Sequence, residues 1–240
     1  IYFIMVKPIV ILLPVYNDWE SLNIVLNSLD KILKVGSENI EVLIVDDNST
    51  IKSNNFNLNN NYKVINRISV ITLIKNMGNQ RAISIGLCYI EEKIPCKSVV
   101  IMDSDGEDRA EDIPKLIKKF HDESEKRIVF AKRKQRSDSI TFKVFYLLYK
   151  VIFKILTGSI VNFGNFSIIP KSILSKLVII PEIADHYPAA VIKSRTSFTT
   201  IDTKRAPRLY GESKINFASL VIHGLSGIAV FGDIVGVRML

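Results

Sequence analysis

Two carboxylates stand one residue apart in Asp103-Ser104-Asp105, directly after the apolar run Ser98-Val99-Val100-Ile101-Met102. A short apolar run bounded by polar residues reads as a buried strand, and the carboxyl end of such a strand is where α/β sheets bind ligands. Paired carboxylate oxygens in that setting suit a hard divalent cation that also takes oxygens from a substrate phosphate. Two acidic residues beside a turn, taken alone, are usually just solvated. Their weight comes from a second acidic strand end, Val42-Leu43-Ile44-Val45-Asp46-Asp47, and from an opening strand Ile9 to Leu13 that runs into Pro14-Val15-Tyr16-Asn17.

The elements that must position these residues alternate. Strands are expected near 9–13, 40–46, 69–73 and 98–102, with helical patterns near 19–34 and 79–93, the signature of βαβ units and a largely parallel sheet. A helix near 112–121 and a strand near 127–131 follow. Further on come a strand near 163–169, a short helix opening at Pro170, a helix near 184–194 and a strand near 197–204. Thr50 to Asn66 holds seven Asn and few apolar residues, so it reads as a surface loop. Across Ile140 to Leu156, Phe142, Phe145, Tyr146, Tyr149, Ile152, Phe153 and Leu156 recur at helical spacing, interleaved with Lys143, Lys150 and Lys154. That pattern fits a helix packed on the sheet, or one lying at a membrane surface with aromatics inward and lysines toward lipid phosphates. The apolar segment from Phe217 to Leu240, broken by four glycines, reads as one or two juxtamembrane helices.

A chain of 240 residues with 48% hydrophobic content can bury one large α/β core or two small ones. Its net charge of +8 favours an anionic partner. With no helix-turn-helix, zinc or RNP-type pattern, no nucleic acid is expected among the partners. Cys88 and Cys96 lack metal or disulfide spacing, and Cys88 is expected to be buried on the apolar face of its helix. No signal peptide is visible, and no stretch reaches the roughly 18–20 apolar residues of a spanning helix. Because position 1 is Ile and the chain stops inside an apolar pattern, a fragment is expected, with Met5 as a native start and any membrane-spanning region beyond residue 240.

Five segments together resemble the family 2 glycosyltransferases, and among them the polyprenyl-phosphate sugar transferases of the dolichyl-phosphate mannosyltransferase type. They are Pro14-Val15-Tyr16-Asn17, Asp46-Asp47-Asn48-Ser49, Asn76-Met77-Gly78-Asn79-Gln80-Arg81-Ala82, Asp103-Ser104-Asp105-Gly106-Glu107 and Arg208-Leu209-Tyr210-Gly211-Glu212-Ser213-Lys214. The resemblance implies a GT-A fold: a Rossmann-like, mostly parallel central sheet flanked by helices, with a catalytic domain over 1–215 and a juxtamembrane helical tail over 216–240. It implies an inverting, metal-dependent enzyme that uses Mg2+ or Mn2+ and a UDP- or GDP-linked sugar. The acceptor it implies is lipid-linked, met at the cytoplasmic face of the cell membrane by a protein that is peripheral or anchored beyond residue 240. A homo-oligomer is compatible with all of this.

The same resemblance assigns roles. Asp103, Asp105 and Glu107 would hold the metal, and Glu107 stands where relatives often carry a Gln. Pro14, Tyr16, Asn17, Asp46, Asp47, Asn76, Gly78, Arg81, Asp103, Ser104, Arg208 and Ser213 would bind the nucleotide sugar. Asp105, Arg133 and Lys214 would be catalytic, with Arg133 near the acceptor phosphate. In one place the chain departs from its family. Relatives often carry an Asp in a Gly-Asp-Phe-Arg-like element, whereas this chain reads Phe163-Gly164-Asn165-Phe166-Ser167. Asn165 cannot act as a general base. An ionised phosphate acceptor needs none, while a hydroxyl acceptor would need another, with Asp185 and His186 as candidates. The alternatives are therefore a transferase acting on a saccharide or glycolipid hydroxyl and a non-catalytic nucleotide-sugar-binding protein.

Overall fold

Strand β1 (Ile9–Val15) is apolar at all seven positions and buried throughout, which requires cover on both faces of the sheet. Its side chains divide by the two-residue period of a strand. Ile9, Ile11, Leu13 and Val15 share a core with Trp19, Leu22, Leu26 and Leu29 of α1 (Trp19–Ile32) and with Leu116 and Phe120 of α3 (Ile113–Asp122). Val10 and Leu12 face the opposite way, against Ala82, Ile83, Leu87 and Ile90 of α2 (Asn79–Lys93) and Leu174, Tyr187 and Ala190 beyond. The structure, a computed structural model, describes residues 7–33, 38–51, 61–133, 140–211 and 217–240, with backbone only at 140–146 and 217–220.

The remaining strands are β2 (Ile40–Asp46), β3 (Ile65–Thr72), β4 (Ser98–Ile101), β5 (Ile128–Arg133), β6 (Ser167–Pro170) and β7 (Phe198–Thr203). They form one seven-stranded sheet in the order β3-β2-β1-β4-β6-β5-β7. Every pairing is parallel except those of β6, which runs antiparallel to both β4 and β5. The reversal brings the start of β6 to the carboxyl end of β4, where Ser167 stands opposite Ile101. Helices α5 (Lys171–Leu177) and α6 (Ile183–Lys193) cover the second face.

Beyond the sheet, α4 (Ile140–Thr157), α7 (Phe217–Ala229) and α8 (Gly232–Met239) form an outer helical layer against α6. Phe153, Ala189, Val230 and Phe231 make its small core. The outward surface keeps Leu147, Leu148, Val151 and Ile155 of α4, Ile222 and Leu225 of α7, and Val237 and Met239 of α8 exposed. Among the described residues no single helix is long and apolar enough to cross a membrane, although Val221–Ala229 and Gly232–Met239 pass that test as a pair bent by 81°.

Four sequence expectations need correction. Strand β3 begins at Ile65 rather than near 69, because its pairing with β2 starts at Ile65 and, past an irregularity at Asn66, continues from polar Arg67. Strand β6 begins at Ser167, and Phe163 to Asn165 precede it as irregular chain. Cys88 is exposed and Cys96 is the buried thiol, since α2 turns Ala82, Ile83, Gly86, Leu87 and Ile90 inward. Helix α4 packs against α7 and α8 in the outer layer instead of on the sheet, with Phe153 turned inward and, among its described side chains, Leu147, Leu148, Val151 and Ile155 exposed.

Candidate active site

The carboxyl ends of β1, β2 and β4 meet in one tied cluster. Asp47 N–H donates to the Val15 carbonyl at 2.8 Å, and Met102 N–H donates to the Leu12 carbonyl at 3.1 Å. The Ser104 hydroxyl, buried, donates to the Pro14 carbonyl at 2.8 Å and so locks the Asp-Ser-Asp turn onto the end of β1. Asn17 and Asn48 both take left-handed backbone (φ 55° and 58°), which Asn tolerates better than most residues. Asn17 Oδ1 accepts from Ile51 N–H at 3.0 Å, and Asn17 N–H donates to Ser49 Oγ at 2.9 Å. Asp46 Oδ1 in turn accepts from Ser49 N–H at 2.9 Å.

Asp47 is spent on architecture. Its two carboxylate oxygens accept from Met77 N–H at 2.6 Å and Gly78 N–H at 2.8 Å, fixing the loop that opens α2. Gly78 sits at φ 87° with open space around it, so it is needed for its backbone conformation and not for room. Pro14 is buried in β1, while Tyr16 lies at the mouth with 37% of its surface exposed. Asn76 and Arg81 are exposed and bond to none of the other site residues described.

Three carboxylates crowd the centre. Asp103 Oδ1 accepts from Asn79 Nδ2 at 3.2 Å, and Asp103 N–H donates to Asp108 Oδ2 at 3.1 Å. Burial, with Asp108 and Asp105 close by, pushes the Asp103 carboxyl up to about 7. Burial also raises Asp105 and Asp108, against the pull of Arg208 on the first and Arg133 on the second. Arg133 reaches Asp108 at 3.0 Å from the end of β5. Burial and mutual crowding raise these carboxyls even with Arg133, Arg205 and Arg208 nearby, and carboxylate oxygens such as those of Asp103 and Asp105 are the kind a hard divalent cation takes. Among the described residues no three or more His, Cys, Asp or Glu side chains are grouped to hold a metal. Asp103, Asp105 and Glu107, the three ligands expected from sequence, are therefore not gathered as one set among the described residues.

Glu107 is turned elsewhere. It pairs with Arg205, while Ala206 N–H donates to the Glu107 carbonyl at 3.0 Å. The segment 205–210 lies across the acidic turn as a strap. Arg208 contacts Asp105 at 3.2 Å and also pairs with Asp18, and Leu209 N–H donates to the Asp105 carbonyl at 3.0 Å. Leu209 rests on Gly106, where an added Cβ would come within 2.2 Å of its Cδ1. Ser213 and Lys214, the other expected residues of this segment, lie outside the described residues.

Residues 10–178 match the family model for glycosyl transferase family 2. This chain belongs to glycosyl transferase family 2. Relatives of the transferase include an uncharacterized glycosyltransferase of Synechocystis sp., 27% identical over 92% of this chain and 68% of its own. Another is the undecaprenyl-phosphate 4-deoxy-4-formamido-L-arabinose transferase of Photorhabdus laumondii, 25% identical over 91% of this chain and 66% of its own. The chain spans about two thirds of the length of these curated relatives. Among solved structures, glucosyl-3-phosphoglycerate synthase from Mycobacterium tuberculosis in complex with Mn2+, UDP-glucose and phosphoglyceric acid aligns with a TM-score of 0.67. The identity is 14%, covering 96% of this chain and 80% of that one. S. aureus TarS in complex with UDP-GlcNAc aligns at 0.51 with 15% identity, covering 97% and 71%. The transferase has the GT-A fold, as these neighbours and its sheet order agree.

Several contacts within the site escaped the sequence reading. Asp18 as a partner of Arg208, Asp108 as the anchor of Arg133, and Asn79 on Asp103 all depend on long-range approach. The signal for Asn79 and Gln80 was present, since both lie inside the segment Asn76 to Ala82, but only their neighbours carried an assigned role. Of the two candidate bases, Asp185 is exposed, and His186 is buried in the helical layer with its ring stacked on His223 at 4.6 Å. Burial and His223 hold His186 down to about 3, a poor proton acceptor.

Proposed function

We propose that the transferase moves one sugar from a nucleoside diphosphate sugar to a lipid-linked phosphate acceptor at a membrane surface, on its cytoplasmic face. The observation that carries the donor half is the Asp103–Asp105–Asp108 cluster at the sheet's carboxyl edge, ringed by Arg133, Arg205 and Arg208. Asp103 and Asp105 would hold Mg2+ or Mn2+ together with diphosphate oxygens. Such an ion supplies Lewis-acid neutralisation of the leaving group. Tyr16 is offered to the base from the mouth of the site, while Asn17, Asp46 and Asp47 set the loops around it.

The acceptor oxygen attacks the anomeric carbon from the face opposite the diphosphate. That bond forms as the carbon–oxygen bond to the diphosphate breaks, so configuration inverts. The electron pair leaves on the diphosphate oxygen, where arginines released from Asp105, Asp18 and Glu107 stabilise it. The exposed apolar layer of α4, α7 and α8 supports a lipid-borne acceptor, with 216–240 acting as a juxtamembrane segment. A hydroxyl acceptor is less well supported, because Asn165 cannot take a proton and His186 is buried with its imidazole held far below neutrality. Transfer from radiolabelled UDP- and GDP-sugars to a polyprenyl phosphate, with Mn2+ and with EDTA, tests the reading. Metal-dependent product is expected, and nucleotide binding without any transfer or hydrolysis would instead identify a binding protein.

A further inference from the structure

The first two residues of α2 reach in different directions. Asn79 donates to Asp103 at 3.2 Å, and Gln80 Nε2 donates to Asn165 Oδ1 at 3.1 Å. Asn165 and Asp103 share one edge of the sheet. Ile101 of β4 pairs with Ser167 of antiparallel β6, and each of the two residues stands two positions beyond that pair.

The orientation of the Asn165 amide follows from hydrogen-bond chemistry. Within α6, His186 is extended (φ −160°, ψ 96°), which breaks the helix and frees the backbone N–H of Tyr187. That N–H can only donate, and it meets Gln80 Oε1 at 2.8 Å. The other end of the Gln80 amide is therefore its NH2, which can also only donate. The Asn165 atom facing it must be oxygen. Asn165 Nδ2 is left with no protein partner among the described residues. It is not one of the sealed partnerless atoms, which among the described residues are Ser21 Oγ, Ser98 Oγ and Asp112 Oδ2, so it keeps some contact with solvent on half-buried Asn165.

We infer that Gln80 is a positioning residue that holds Asn165 as a hydrogen-bond donor toward the acceptor, selecting a phosphate monoester over a neutral hydroxyl. The inference rests on the transferase reading above. A carboxylate at this position would repel an anionic acceptor, whereas an NH2 group held outward binds one and needs no base. The backbone break at His186 thus sets acceptor chemistry through Tyr187 and Gln80.

The test measures binding of farnesyl phosphate, farnesol and glycerol 3-phosphate to the full chain without nucleotide, in wild type, Asn165→Asp, Gln80→Glu and Asn165→Ala, and in the pair Gln80→Glu/Asn165→Ala. Glu at 80 still accepts from Tyr187 but presents a second oxygen, which turns the Asn165 amide around. Wild type should prefer a phosphate ester to farnesol. Asn165→Asp should lose tenfold or more of that preference, and Gln80→Glu should lose threefold or more. Gln80→Glu should have no further effect once Asn165 is Ala, which a general loss of folding would not produce. Farnesyl phosphate and glycerol 3-phosphate separate a lipid-borne from a soluble ester, and selective binding of either supports the assignment. No preference in wild type, or an unchanged preference in both single variants, overturns it. Separately, wild type that fails to bind UDP and GDP with Mn2+ overturns the donor reading, while the phosphate arms are read independently.

Discussion

Arg208 bonds Asp105 at 3.2 Å with one guanidinium nitrogen and pairs with Asp18 through the other, so a fixed cation occupies a ligand of the Asp-x-Asp pair. On the proposed metal site, the strap 205–210 would compete with a metal ion for Asp105 until a diphosphate drew the arginine away. A charged hydrogen bond of this kind contributes about 1.5–3 kcal/mol. Arg208→Ala should strengthen Mn2+ binding in the absence of nucleotide by about tenfold, while turnover falls about a hundredfold through loss of leaving-group stabilisation. Titration calorimetry with Mn2+ and steady-state kinetics check the two halves. Weaker metal binding in the variant would show that Arg208 only braces the site.

Gly106 carries the strap mechanically. Its φ of 82° costs an L-residue roughly 1–2 kcal/mol, and a Cβ there would strike Leu209 Cδ1. Gly106→Ala should lower the urea midpoint and reduce turnover. Adding Leu209→Ala removes the overlap but not the backbone cost, so the double variant should recover only part of the stability. Full recovery would mean that the φ angle contributes nothing.

Asp105→Ala should abolish turnover and weaken metal-dependent nucleotide binding, because one half of the carboxylate pair is gone. Isotopic transfer assays together with UDP and GDP binding, each with and without Mn2+, measure this. Unchanged turnover would remove Asp105 from the chemistry.

Much of this was legible in the chain because parallel strands buried on both faces leave long apolar runs that end where ligands bind. Ile9–Val15 and Ile40–Asp46 announce themselves in that way. The polar start of β3 and the reversed β6 did not, since four to eight residues beside a polar loop carry little periodic signal. Within the site, residue types were readable but allocations were not. Asp46 and Asp47 are identical and adjacent, yet Asp46 caps a local turn while Asp47 holds Met77 and Gly78 thirty residues on. Glu107 reads as a metal ligand until Arg205 is brought to it by a segment ninety-eight positions later.

His186 supplies a pH dependence. Burial and the neighbouring His223 ring keep its imidazole neutral down to about 3 in the folded state. The unfolded chain protonates near the usual histidine value of about 6.5. A depressed folded value means that stability is fully present above that pH and declines as pH falls toward 3. Chemical denaturation between pH 7.5 and 5 should therefore show falling stability in wild type and a shallower fall in His186→Asn. Equal slopes would indicate that the ring is open to solvent.

The outer helical layer makes the last prediction. Leu148, Ile155 and Val237 are 54%, 67% and 74% exposed, so charges placed there leave the core intact. Deleting 217–240 would be a poorer test, because it removes Val230 and Phe231 from the cluster around Phe153. Burying one such side chain in lipid contributes about 1.5–3 kcal/mol. Lysines such as Lys150 and Lys154 near an anionic surface add on the order of 1 kcal/mol each, screened by salt. The intact chain should float with anionic liposomes and keep part of that binding in high salt. Leu148→Glu/Ile155→Glu/Val237→Glu should retain at most a weak component that salt abolishes. If wild type does not float and elutes as a dimer that the triple variant disrupts, the apolar face is a subunit contact. A lipid-borne acceptor then loses its physical support, and a soluble phosphate ester takes its place.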